Sequence, residues 1–206
     1  MHIDILSPAQ KDILPRLSHA LRGTDFYMAG GTALALQVGH RFSIDFDWFA
    51  KEIGEPELLL QRLQAAQLNF TVLSVRFETV YLDIKAVQAS FIGYNYPMLL
   101  PPVLWTEYGI YLAQIDDIAC MKLSAITNRG SRKDFFDLFY IINNFKTLDL
   151  YLELFIKKYQ QKDIGHVLRS LVYFEDAEQE PEPKMTVKIS WKQLKKEFEH
   201  LVKKHS

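Results

Sequence analysis

The chain has 206 residues, 49% of them hydrophobic and 24% charged, with a formal net charge of -1, the balance of an ordinary globular protein. That charge excludes a generally basic nucleic-acid binder, though not a local basic cleft. A single cysteine, Cys120, excludes an intrachain disulfide and belongs to an apolar helical pattern. No apolar run approaches a membrane span, and the start MHIDILSPAQ lacks a secretion-signal profile, so a cytoplasmic protein without a membrane partner is expected.

In chain order, Ser7 to Leu21 predicts a helix. Ser7 suits the N-cap, Pro8 the first turn, and Ile13, Leu14, Leu17 and Leu21 recur at helical spacing. The run DFYMAG reads as a short strand, Thr32 to Val38 as a brief helix stopped at Gly39, and Ile44 to Phe49 as a second strand. Pro56 to Gln67 has the pattern of an amphipathic helix, with Leu58, Leu59, Leu63 and Ala66 inward. Phe70 to Phe77 and Thr79 to Val87 read as strands of a hairpin turning near Glu78. A loop with Pro97, Pro101 and Pro102 leads to a strand near Ile110 to Ala113.

After Gln114 the texture turns helical, through IDDIACMKLSAITNR, RKDFFDLFYIINNF, Asp149 to Tyr159 and Ile164 to Tyr173. The stretch FEDAEQEPEP, with five carboxylates from Glu175 to Glu182, predicts an exposed linker. The last segment is a basic amphipathic helix with Trp191, Leu194, Phe198 and Leu201 on one face. Docking on the body is its default role, with RNA or a partner as alternatives.

The chemistry concentrates between Ala29 and Phe49. Asp45 and Asp47, spaced for one face of a strand, repel unless a cation sits between them, and oxygen ligands favour Mg²⁺. Gly30 and Gly31 precede a helix start, where bare N–H groups meet phosphate or where a turn simply needs the freedom. Thr32 either offers its hydroxyl to phosphate or caps the helix. Arg41 either contacts phosphate or braces Asp47, Ser43 lies beside it, and His40 is a substrate contact or a structural hydrogen-bonding residue.

The Gly-Gly pair, a thirteen-residue spacer and Asp-Phe-Asp resemble the signature of DNA-polymerase-β-type nucleotidyltransferases. The fuller string GGTALAL…GHRFSIDFDWF resembles a narrower branch, the AbiEii/AbiGii toxin-like nucleotidyltransferases. The resemblance runs from about residue 25 to the C-terminus and includes SLVYFEDAEQEPEPKM. It implies a third acid, for which Asp83 in VYLDIKAV is the candidate. The bland alternative for Asp83 is a solvent-facing position, since Tyr81, Asp83 and Lys85 share a face. Lys85 would pair with Asp83 or touch phosphate.

In the helical half, Lys122 interrupts an apolar helix side and lies seven residues from Arg129, two turns along the same face. A triphosphate clamp would use an ammonium in that place; an inter-helix salt-bridge network is the alternative for its neighbours Arg129, Arg132, Lys133, Asp134 and Asp137. KLSAITNRGSRKDFFDLFYI resembles a later motif of the same family, which implies function for Lys122 and Asp134 and a structural role for Asp137 beside Arg129 or Arg132.

The fold predicted is α/β (α+β): a nucleotidyltransferase core with a mixed sheet at 1–113, a helical lobe at 114–174, and an acidic linker with the basic helix at 175–206, the site lying in the cleft between lobes. The function predicted is metal-dependent transfer of NMP from an NTP to a hydroxyl acceptor. Asp45, Asp47 and Asp83 would hold two Mg²⁺ ions; Gly30, Gly31, Thr32, Arg41, Ser43, Lys122 and Arg129 would bind nucleotide; and Lys122 and Asp134 would join the catalytic set. The family resemblance implies tRNA as one acceptor and a toxin role with a cognate antitoxin. The alternatives are NMPylation of a protein acceptor and a non-catalytic NTP- or partner-binding module.

Overall fold

The structure is a computed structural model describing residues 1–205. It divides into two units: Met1–Pro97 with Pro101–Gln114, and Met98–Leu100 with the chain from Ile115 onward.

The first unit is built on a seven-stranded mixed sheet. Its strands are β1 (Tyr27–Ala29), β2 (Phe46–Ala50), β3 (Thr71–Arg76), β4 (Thr79–Ile84), β5 (Val87–Gly93), β6 (Val103–Trp105) and β7 (Ile110–Leu112), in the order β3-β4-β5-β2-β1-β7-β6. The pairs β2–β5 and β1–β7 are parallel and the others antiparallel. Alternation along β2 sends Phe46 and Trp48 into the core with Met28, Leu82 and Phe91, and leaves Asp47 half-buried.

Helix α1 (Pro8–Leu21) starts in a reciprocal capping box: Gln10 N–H donates to Ser7 Oγ at 3.2 Å, and Ser7 N–H donates to Gln10 Oε1 at 3.0 Å. Helix α2 (Gly30–Val38) follows β1 without a linker and ends where Gly39, at φ 68°, donates its N–H to Ala35 O at 2.7 Å. Helix α3 (Pro56–Ala65) buries Leu59 and Leu63, whereas Leu58, predicted inward, is exposed.

Two strands were not legible. The predicted strand from Thr79 to Val87 is two strands, β4 and β5, with Ile84 paired to Val87 across a two-residue turn. Its central residues Lys85 and Ala86 have φ values of 53° and 63°, a geometry usually marked by Gly or Asn. Here Asp83 supports it, accepting a hydrogen bond from Ala86 N–H at 3.0 Å. The short β6, after the prolines, was also missed. The β3–β4 hairpin turns at Glu78 as predicted.

The second unit is helical: α4 (Ile115–Arg129), α5 (Arg132–Asn144), α6 (Leu148–Tyr159), α7 (Gly165–Ser170), α8 (Glu175–Glu178) and α9 (Trp191–Lys203). The acidic stretch is not a free linker. It includes α8 with Ala177 buried, and Glu180 Oε2 caps α5 by accepting from Ser131 Oγ at 2.7 Å and Arg132 N–H at 2.8 Å. The docked reading of the last helix holds. Trp191 stacks on Phe136 at 5.7 Å between ring centres, and Phe198 meets Phe135 edge-on at 5.9 Å. No helix among the described residues is long and apolar enough to cross a membrane.

Candidate active site

The end of β1, the start of α2 and the start of β2 form the first cluster. The register sets Ala29 opposite Asp47, so the residue after Ala29 must pass beneath the aspartate side chain. Gly30 does so at φ +70°, and a β-carbon there would stand 2.7 Å from Asp47 Oδ2. On the other side of β2, Ser90 of β5 faces Asp47 and donates its hydroxyl to Oδ1 at 2.6 Å. Both oxygens of Asp47 are therefore placed, one by a hydrogen bond and one by the absence of a side chain.

Asp45 directly precedes β2 and is half-buried. Its backbone carbonyl accepts hydrogen bonds from Thr32 Oγ1 and from Gln10 Nε2, the latter at 3.4 Å. Thr32 Oγ1 also lies 2.6 Å from Ser43 Oγ; since Thr32 donates to Asp45, Ser43 is the donor to Thr32. Thr32 and Ser43 are both buried. Their hydroxyls tie α2 to the segment that carries Asp45. Arg41 is buried as well and donates from Nη1 to Phe42 O at 2.9 Å, while His40 is fully buried. Gly31 lies buried in the first turn of α2.

Asp83 does not join the pair. It faces Gln88 of β5 on one side and Thr71 of β3 on the other. Because β5 intervenes, Asp83 is two strand spacings from β2, about 10 Å, and its carboxylate supports the β4–β5 turn. Lys85 pairs with neither Asp83 nor a site group, but with Asp12 at 2.7 Å. Among the described residues, no group of three or more His, Cys, Asp or Glu is placed to hold a metal. The donor chemistry at Asp45 and Asp47 still fits a hard divalent cation. Two carboxylates lie two residues apart, one of them above a cradle that a single β-carbon would fill.

The second cluster lies in the helical unit. Lys122 of α4, its side chain 5% exposed, is held between Asp134 Oδ1 at 2.7 Å and Asp137 Oδ2 at 2.6 Å, both carboxylates fully buried. Arg129 grips Asp134 in a fork, Nε to Oδ2 at 2.8 Å and Nη2 to Oδ1 at 3.1 Å, with its side chain 58% exposed. Burial pushes the Asp134 pKa up, but Lys122 and Arg129 outweigh it, and the net position lies below the ordinary value. Asp137, predicted beside Arg129 or Arg132, pairs with Lys122. Arg132 pairs with Glu182 at 2.7 Å.

Two features escaped the sequence reading. One is Ser90, whose signal was the polar Gln88 and Ser90 alternating within VQASFIG. The other is a fully buried ion pair, Asp117 with Lys158 at 2.7 Å, in which Asp117 also accepts from Leu99 N–H at 3.0 Å. Cys120 lies in the core of the same helix. Burial and then the Asp117 charge push its thiol up to about 12, against the opposing effect of Lys158.

The sheet order and the glycine-to-helix turn under an aspartate place the molecule in the nucleotidyltransferase fold class. The same fold occurs in JHP933 from Helicobacter pylori (21% identity, 96% of this chain and 92% of that one, TM-score 0.58). It occurs also in MenT4, a nucleotidyltransferase toxin of Mycobacterium tuberculosis H37Rv (15% identity, 93% and 81%, TM-score 0.61). An uncharacterized protein of Aquifex aeolicus (strain VF5) is 34% identical over 209 residues, 97% of each chain. The family described as "Nucleotidyl transferase AbiEii toxin, Type IV TA system" matches residues 12–99 and 96–205, and the chain belongs to it. It is a nucleotidyltransferase.

Proposed function

We propose that the protein transfers NMP from an NTP to a hydroxyl acceptor, with Mg²⁺ held by Asp45 and Asp47, as the toxin of a toxin–antitoxin pair. The observation that carries this reading is the fit of Asp47 over Gly30, with Asp45 secured beside it through its backbone. In the reaction the acceptor oxygen bonds to the α-phosphorus as the bond from that phosphorus to the bridging oxygen breaks. Pyrophosphate leaves with the electron pair, and the acceptor proton is released to solvent. A bound divalent cation supplies charge neutralisation at the phosphate oxygens.

The chain's own residues do the positioning. The N–H groups at the start of α2, at Gly30 and Gly31, are the proposed phosphate contacts. Arg41 is proposed to contact phosphate or to brace Asp47. Lys122 and Arg129 are proposed to act on the nucleotide phosphates, with Asp134 aligning both. A lysine clasped by two buried carboxylates is costly to assemble, and a functional requirement accounts for keeping it. The family resemblance makes tRNA the first acceptor to test and a cognate antitoxin the first partner.

The test incubates the purified chain with Mg²⁺, each NTP labelled at the α-phosphate, total tRNA and cell protein, beside Asp45→Ala/Asp47→Ala. Label on tRNA that is lost in the variant is the expected result. Label on protein instead would replace the acceptor. No transfer to any acceptor by the folded chain, with or without chelator, would overturn the reading.

A further inference from the structure

We infer that Ser90 is a positioning residue for Asp47: its hydroxyl occupies the place beside the aspartate pair where a third carboxylate would stand, and holds Asp47 in the orientation that receives the cation. The inference rests on the proposed cation-dependent transfer. It deepens that reading by assigning a residue neither the motif nor the resemblance identified.

Sheet order carries the argument. Asp47 has two neighbouring strands. On β1 it faces Ala29, whose side chain has no polar group, and the next residue is Gly30. On β5 it faces Ser90. Of the two residues directly opposite Asp47 in the sheet, only Ser90 has a polar side chain. Ser90 is buried, and its hydroxyl donates to Oδ1 at 2.6 Å, a charge-assisted contact.

The terminal torsion of an aspartate is broad when nothing restrains it. With Oδ1 occupied by Ser90, Oδ2 is directed over Gly30, where only the missing β-carbon leaves room. A side chain that fixes a ligand in this way typically changes metal affinity or activity by about 10- to 100-fold when removed. A serine also adds no charge beside two carboxylates. The pair thus balances a divalent cation without the excess negative charge a third acid would bring.

The experiment titrates Mn²⁺ into the full chain by calorimetry for wild type, Ser90→Ala, Ser90→Thr and Asp47→Ala, with thermal midpoints and the kcat and KM for NTP transfer measured alongside. Ser90→Ala is expected to weaken Mn²⁺ binding by about 10- to 100-fold while its midpoint stays near wild type. Ser90→Thr, which keeps the hydroxyl, is expected to restore the affinity. Wild-type affinity in Ser90→Ala, with binding lost in Asp47→Ala, overturns this inference and leaves the function standing. Equal loss in the Ala and Thr variants also overturns it, because packing then explains the effect. Equal Mn²⁺ binding by wild type and Asp47→Ala overturns both readings.

Discussion

Gly30 and Asp47 are fitted to one another: the backbone at Gly30 turns at φ +70° beneath a carboxylate oxygen that lies 2.7 Å from where its β-carbon would be. Gly30→Ala therefore meets two obstacles, a left-handed backbone costing roughly 1–2 kcal/mol and a collision that turns Asp47 away. The chain is expected to fold with a lowered thermal midpoint and to lose transfer activity by at least about 100-fold, since small misplacements of a reacting group carry that cost. Wild-type activity in Gly30→Ala would show that Asp47 is not held in the geometry described.

The Thr32 hydroxyl is committed to Asp45 O and to Ser43. Thr32→Val keeps the shape but strands the buried Ser43 hydroxyl and one acceptor position of Asp45 O, a loss of about 1–3 kcal/mol. Urea unfolding measures it. Were Thr32 a phosphate ligand alone, the substitution would raise KM for NTP without moving the urea midpoint.

Removing the charge of Lys122 leaves Asp134 and Asp137 buried without their common partner. Lys122→Met is expected to destabilise the chain by about 3–5 kcal/mol, the usual penalty for breaking one side of a buried pair. Chemical denaturation of the variant checks this.

The folded-state pKa of Asp134 lies below its unfolded value of 3.8. Its contribution to stability is therefore complete above that pH and is lost as pH falls through the lower folded value. Urea midpoints should fall with acid below pH 3.8 in the wild type, and the acid-dependent part should shrink in Asp134→Asn. An unchanged acid profile in that variant would detach Asp134 from the effect.

Cys120 is buried, with its thiol raised to about 12. In the native chain near neutral pH it should resist aromatic disulfide reagents and react only after denaturation. Absorbance at the released thiolate follows the reaction directly, and rapid native labelling would contradict the buried placement.

The nucleotidyltransferase family was legible because its signals are local. A glycine pair before a helix, a fixed spacer and two aspartates alternating among aromatic residues are read from neighbours in the chain. Capping of α1 by Ser7, the stop at Gly39 and the apolar stripe through Trp191 and Phe198 are equally local, and the structure has each of them. The break between β4 and β5 was hidden because Lys85 and Ala86 adopt a turn conformation that neither residue type advertises.

The partners of these groups were decided by tertiary structure alone. Alternation could put Asp83 on a polar face but could not reveal that β5 stands between β4 and β2, which gives the place beside Asp47 to Ser90. Helical spacing could align Lys122 with Arg129 but could not show Asp134 and Asp137 closing on it from the next helix. Nor could composition show Glu180, forty-eight residues away from Arg132, capping the start of α5. Residue types and spacing thus determined which chemistry the chain carries, since those depend on periodicity and backbone freedom. Strand order and helix packing decided which groups meet, because such contacts join distant segments on which local pattern has no hold.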